Sequence, residues 1–303
     1  MAAASLALAS FGSAALAEPR PWQLNMEPGA STWSHVPYDL NNLSLAVCVV
    51  IGILVFGAMF IAMFRFRKSR GAVPETWSHN TTLELIWTTI PVIILVALAY
   101  LSTGGLTSWA DTTGSQMTVK VTGYQWKWRY DYISYMGKPI SKVGFMSKLD
   151  EQSDQTRQLD SGMNPYAVKV GNEHTYLLNV DKPLVVPINT KIRFVITGGD
   201  VIHSWWVPAL GWKLDAIPGI INAAWTNIKT PGTYRGQCAE LCGQDHGFMP
   251  IVVVAKSKAD FAKWLSEQEA ASKQAPPPPA PFDAAAPEPA SASVEPTAPV
   301  QRG

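Results

Sequence analysis

Charge is scarce in this chain. Of its 303 residues only 16% are Asp, Glu, Lys or Arg, against 47% hydrophobic, and the formal net charge is +1. No basic patch offers a footing for nucleic acid, and the total implies no strongly acidic or basic partner. Cysteine is scarcer still. Three cysteines exclude a disulfide framework, and one of them, Cys48, lies inside an apolar run. There is no second cysteine pair to complete a zinc site, no Cys-x-x-Cys-His for an attached haem, and no internal repeat.

The absence of charge is concentrated in two places. Residues 43–64 contain none, and at ~1.5 Å per residue they make a helix of ~33 Å, enough to cross a bilayer core. The second uncharged run, 85–101, reaches spanning length with Thr81 to Glu84 in front, so the second span is set at about 82–101; Pro91 inside it is tolerated in a membrane helix. Between the runs stand Arg65, Arg67, Lys68 and Arg70, which mark the cytoplasmic edge. Both chain ends are therefore expected on the outer face, with Trp33 and Trp109 as interfacial anchors. The small apolar start, with Ala15-Leu16-Ala17 before Glu18, predicts a signal peptide over 1–17, although it lacks the usual positive n-region.

After the hairpin the pattern turns to strands. Met117-Thr-Val-Lys-Val-Thr alternates, and Tyr124 to Tyr132 alternates so regularly that Tyr124, Trp126, Trp128, Tyr130 and Tyr132 are expected on one face of one strand. Further strands are expected at 176–180, 192–197, 232–236 and 251–254, giving an antiparallel sandwich or barrel. Residues 137–164 read as a long polar excursion. Ser257 caps a predicted helix whose Phe261, Trp264 and Leu265 share an apolar face. From 275 onward the chain is Pro- and Ala-rich and reads as a disordered tail.

The chemistry sits in GQCAELCGQDHGFMP (236–250). Cys238, Cys242, His246 and Met249 fall within twelve positions, and His203 stands upstream in VIHSWW. Soft and borderline donors of this kind suit copper better than zinc or iron. A disulfide between the two thiols is the plainer use of them, but it leaves the histidines and the methionine without a role. A mononuclear blue-copper site takes one thiolate, and this chain has one more than that. The simplest use of the second is to bridge a second copper, with Met249 and a backbone carbonyl, most naturally that of Glu240, as weak ligands. His35, His79 and His174 lack such neighbours and read as ordinary histidines.

These features together resemble subunit II of the haem–copper cytochrome c oxidases. The likeness covers nearly the whole mature chain: the two-helix hairpin, YQWKWRY (124–130), HSWWVPALGWKLDAIPG (203–219) and the cysteine run. The fold it implies is a membrane-anchored α+β chain, an N-terminal two-helix transmembrane hairpin followed by a cupredoxin-like antiparallel β-sandwich. The expected layout is the signal peptide at 1–17, the hairpin segment at 18–109, the copper domain at 110–256, a C-terminal helix at 257–274 and the tail at 275–303. The resemblance implies a binuclear copper A centre on His203, Cys238, the Glu240 carbonyl, Cys242, His246 and Met249. It implies a magnesium or manganese ion on the Glu240 side chain, shared with subunit I. Trp126 matches the residue that takes the electron from a c-type cytochrome, Glu84 the carboxylate at a proton-pathway entrance, and Asp200 a docking residue for the cytochrome.

The implied role is electron uptake for a proton-translocating oxidase, with haem only in subunit I and no activity of the chain alone. Subunit I, subunit III, a c-type cytochrome and the bilayer are the expected partners, with no nucleic acid. The expected location is a bacterial inner membrane, multi-pass, with the C-terminal domain in the periplasm. Both cysteines are kept, unlike the quinol-oxidase variant, and the tail has no counterpart in the short mitochondrial form. A membrane-anchored mononuclear cupredoxin carrier and a copper-sensing or copper-delivery protein are the competing classes.

Overall fold

A computed structural model describes residues 22–157 and 175–274 of the chain. The expected signal peptide, the Pro/Ala-rich tail, His174 and the end of the 137–164 excursion lie outside the described residues.

Two long helices come first, α1 (His35–Arg65) and α2 (Thr81–Ala110). At ~1.5 Å per residue each is ~45 Å long, so both continue beyond the apolar runs and past a hydrocarbon core of ~30 Å. No residue of α1 and only Gly105 of α2 is buried within the chain. Apolar side chains such as Leu54 and Leu95 stand exposed around the helices. Helices with apolar side chains exposed on all sides suit a lipid surrounding. α2 begins at a reciprocal cap. The Asn80 side chain accepts from the Leu83 N–H at 3.1 Å, and the Asn80 N–H donates to Glu84 Oε1 at 3.3 Å. Pro91 leaves α2 unbroken.

The rest is a two-sheet sandwich. Its strands are β1 (Met117–Tyr124), β2 (Lys127–Tyr135), β3 (Lys138–Pro139), β4 (Gly144–Ser147), β5 (Leu184–Pro187), β6 (Ile192–Gly198), β7 (His203–Val207), β8 (Trp212–Ala216), β9 (Asn222–Thr226), β10 (Gly232–Cys238) and β11 (Pro250–Lys256). One sheet runs β3-β2-β1-β6-β9 with β4 also on β2; the other runs β5-β11-β10-β7-β8. Most neighbours are antiparallel, but β1 pairs with β6 and β5 with β11 in parallel. Both parallel pairs are joined through long connections, where a hairpin is not available to reverse the chain. α3 (Glu151–Arg157) lies between β4 and β5, and α4 (Lys258–Gln274) closes the described chain.

Two expectations change. The aromatic run 124–132 is two strands, not one: Tyr124 pairs with Lys127 and Gly123 with Trp128, so Gln125 and Trp126 form a hairpin tip. Trp128, Tyr130 and Tyr132 are buried in the core, while Tyr124 and Trp126 are only half-buried, Trp126 packing against the core's edge. Residues 176–180 form no strand; Val180 makes a single bridge to Leu149.

The core between the sheets is aromatic. Phe194 stacks on Trp205 at 5.2 Å and Trp205 meets Trp212 at 5.1 Å, offset and tilted arrangements that add to the burial of area. The Tyr132 hydroxyl donates to Val185 O at 2.8 Å and accepts from Val185 N–H at 3.0 Å, tying the two sheets together. α4 starts on a Ser257 cap, with the Asp260 N–H donating to Ser257 Oγ at 3.1 Å, and packs Phe261 and Leu265 onto the core.

The sandwich is fastened to both outer ends of the helix pair. The Trp225 indole donates to Ser108 O at 3.0 Å, and Lys191 Nζ donates to Asp111 O at 2.9 Å and Thr113 O at 2.7 Å. Before α1, Ala30 N–H donates to Ala209 O at 2.7 Å and Ser31 Oγ–H to Leu210 O at 3.1 Å.

Candidate metal centre

β7 and β10 are neighbours, and their ends carry the first two donors. His203 opens β7, Cys238 closes β10, and Cys238 lies opposite Trp205. The ladder runs one step further, with Ala239 N–H donating to Ser204 O at 3.0 Å. His203 is fully buried. Its ring occupies the space beside Gly123, where an added Cβ would stand 2.7 Å from the ring Cδ2. Its edge meets Trp128 at 5.9 Å. His203 Nε2–H donates to Asp200 Oδ1 at 2.9 Å, which leaves Nδ1 bare and 4.0 Å from the Cys238 sulfur. A carboxylate on the far nitrogen fixes both tautomer and ring plane of a metal-binding histidine.

The remaining donors lie on the loop between β10 and β11. Cys242 Sγ is 3.9 Å from Cys238 Sγ, 3.5 Å from His246 Nδ1 and 3.5 Å from Met249 Sδ. The Cys238 thiol stands 3.4 Å from the Glu240 carbonyl. The two sulfurs are far beyond the ~2.05 Å of a disulfide, and both cysteines are free. The ligand atoms of His203, Cys238 and Cys242 lie within 4.8 Å of one another, and all three residues are buried. They form a metal-binding group with the soft donors that copper prefers.

Electrostatics fits the same use. Burial pushes both thiols up. At Cys238 the His203 imidazole and the backbone at Glu240 and Ser204 outweigh it and bring the thiol down to about 7. At Cys242 burial prevails, the neighbouring Cys238 adds to it, and the thiol goes up to about 12. A metal-free pair thus holds at most one thiolate near neutral pH, and a cation bound to both sulfurs displaces the second proton. Burial also works against the Asp200 charge. The N–H groups of Gln125 at 2.7 Å and Val201 at 2.6 Å, with the His203 ring, nevertheless hold its carboxyl below the ordinary range.

The other residues singled out in the sequence fall in separate places. Trp126, half-buried at the hairpin tip, lies against the ligand loop: a Cβ added at Gly243, whose φ is +115°, would stand 3.2 Å from its Cζ2. The Glu240 side chain is exposed. Asp200 has both carboxylate oxygens engaged, as described above. Glu84 sits in the first turn of α2, at the end of that helix remote from the sandwich, where His79 Nδ1 is 2.8 Å from its Oε1. His35 rests on Thr32 O at 3.0 Å and takes no part in the donor group.

Three contributors escaped the sequence reading. Gln125 donates from Nε2 to Cys242 O at 2.9 Å, Gly123 makes room for His203, and Arg157 holds Asp245 beside His246 at 3.0 Å. For Gln125 the signal was its place next to Trp126; for the other two the sequence carried none, because their partners are distant in the chain.

The comparisons with known proteins bear on both halves of the chain. Residues 19–103 match the family described as cytochrome c oxidase subunit II, transmembrane domain, and residues 117–256 match the periplasmic domain of the same subunit. A probable cytochrome c oxidase subunit 2 of Rickettsia felis is 39% identical over 251 residues, covering 83% of this chain and 73% of that protein. Cytochrome c oxidase subunit 2 of Cereibacter sphaeroides is 34% identical over 255 residues, covering 83% and 82%. Among solved structures, the periplasmic domain of subunit II from Bradyrhizobium japonicum is 35% identical. It covers 53% of this chain and 99% of its own, with a TM-score of 0.42.

Proposed function

The chain belongs to the cytochrome c oxidase subunit II family, a subunit anchored by two helices and carrying a cupredoxin-like periplasmic domain. From that premise we propose that its metal-binding group is a binuclear copper A centre through which the oxidase takes up electrons from a c-type cytochrome. The observation that carries this reading is the two-ended order of the donors. His203 Nδ1, Cys238 Sγ, Cys242 Sγ and His246 Nδ1 follow one another at 4.0, 3.9 and 3.5 Å. Each sulfur has its own imidazole and its own weak donor, the Glu240 carbonyl beside Cys238 and the Met249 thioether beside Cys242. Such a set divides evenly between two metals and leaves a donor surplus for one.

When bound by His203, Cys238, Cys242, His246, Met249 and the Glu240 carbonyl, a copper centre would supply one-electron transfer. The chain's residues do the rest. Asp200 fixes the His203 ring and its tautomer. Gln125 links the hairpin tip to the ligand loop, so that a short run of covalent bonds and one hydrogen bond joins the Trp126 backbone to Cys242. Trp126 is the residue at which the cytochrome delivers its electron, and salt weakens that docking to the extent that exposed charges guide it. The exposed Glu240 carboxylate is the ligand offered to a magnesium or manganese ion shared with subunit I, which also holds the accepting haem. Glu84 serves the proton entrance at the cytoplasmic end of α2, with the domain held in the periplasm of a bacterial inner membrane.

The stoichiometry tests the reading. The full chain, purified in detergent and loaded with copper, is expected to bind two coppers. One copper per chain with a blue-copper spectrum would sink the binuclear assignment in favour of a mononuclear carrier.

A further inference from the structure

Arg157 closes α3 and is 88 residues from Asp245, which directly precedes His246. Its guanidinium is nearly saturated. NH1 donates to Asp245 Oδ1 at 3.0 Å and NH2 to Asp245 Oδ2 at 3.3 Å. Nε donates to Asp154 Oδ1 at 2.9 Å, and the group lies over the Phe248 ring, 4.3 Å from its centre. The Arg157 side chain is only 18% exposed and that of Asp245 22%, so the pair is shielded from much of the solvent screening that weakens surface ion pairs.

Among the described residues, the segment that Arg157 grips has few ties of its own. Its backbone bonds are local, His246 N–H to Gly243 O at 3.2 Å and Phe248 N–H to Asp245 O at 2.9 Å. The turn that leads into α3, by contrast, is tied down without Arg157. Leu149 bridges to Val180, Asp150 N–H donates to Asn179 O at 3.2 Å, and Asp181 N–H donates to Lys148 O at 3.0 Å. The start of the helix is therefore held independently of Arg157, whereas the loop has Arg157 as a brace on this side.

We propose that Arg157 is a positioning residue for the loop-borne metal ligands. By clamping Asp245 and Phe248, on either side of His246 and next to Met249, it holds the imidazole and the thioether against the Cys242 sulfur. The role rests on the copper reading above. It demands arginine in particular: the planar fork meets both oxygens of Asp245 while its face covers Phe248, and a lysine ammonium does only one of these at a time. Partners that orient metal ligands typically change metal affinity ~10- to 100-fold when removed.

The test uses the full-length chain in detergent, loaded with copper ions, as wild type, R157K and R157A. Three quantities are read: copper loss to a chelator, the hyperfine pattern of the copper in electron paramagnetic resonance, and the thermal midpoint of the metal-free chain. R157A is expected to lose copper about tenfold faster with an altered hyperfine pattern. R157K should fall between it and wild type, with the metal-free midpoints of all three alike. If R157A fails to fold, R157K decides: faster copper loss with a changed spectrum upholds the role, and values equal to wild type overturn it. Changes confined to the thermal midpoint would also overturn it, reducing Arg157 to a fold contact. A wild-type chain that takes up no copper would instead strike the functional reading, and this proposal with it.

Discussion

The two halves of the metal site are held in opposite ways. His203 and Cys238 stand at the ends of adjacent strands, with the ladder carried past them by the Ala239–Ser204 bond and the His203 ring slotted against Gly123. Cys242 and His246 lie on a loop whose fixed points are side chains from elsewhere, Gln125 on the Cys242 carbonyl and Arg157 on Asp245, while Met249 stands at the loop's end, where its carbonyl accepts from the Cys238 N–H at 3.3 Å and the Trp128 indole at 3.4 Å. A strand position is set by many backbone bonds at once, and a loop position by a few side chains. The strand-held half is accordingly the rigid reference, and the loop-held half is where single substitutions tune the site.

The comparison can be broken in order of expected effect. C242S removes a donor shared by both ends of the array. It should abolish the binuclear centre, leaving one copper or none per chain, and retention of two coppers would remove the bridging role of this sulfur. G123A attacks the rigid half. The added Cβ meets the His203 side chain at 2.7 to 3.1 Å, and overpacking of that kind costs about 1–3 kcal/mol. Because the ring cannot move without leaving Asp200, copper affinity should fall on the order of tenfold or more, as read by competition with a chelator. An unchanged affinity would mean that the strand-held half yields as readily as the loop. R157A follows, with the tenfold change argued above. W126F should be the mildest for the site: copper content and spectrum unaltered, electron uptake from reduced cytochrome c slowed severalfold in stopped-flow measurements. An unchanged rate would assign the uptake to another residue.

The membrane helices were legible because lipid imposes a composition that soluble packing does not. Among the described residues, the apolar side chains of α1 and α2 stand largely exposed, as that composition requires. The ligand loop was legible because its donors crowd into one short run. The hairpin at Gln125–Trp126 was not. Aromatic alternation continues through the turn without a glycine or proline to punctuate it, so two strands read as one. β7, β8 and β9 are five residues each, too short for alternation to stand out from their apolar and turn-rich surroundings. The contacts that brace the site, though not the prominence of Gln125 beside Trp126, were beyond reach for a different reason. Gln125 to Cys242 and Arg157 to Asp245 are contacts across 117 and 88 residues, made by packing the two sheets and the excursion helix together. Asp200 lay closer to being readable, three residues before His203, but its bond to the ring depends on the turn between β6 and β7.

Copper-loaded full-length chain in electron paramagnetic resonance tests the two-ended site most directly. One unpaired electron shared equally by two copper nuclei gives a hyperfine pattern in which both nuclei count alike, and that is the expected result. A pattern from a single copper nucleus, at full copper loading, would contradict it.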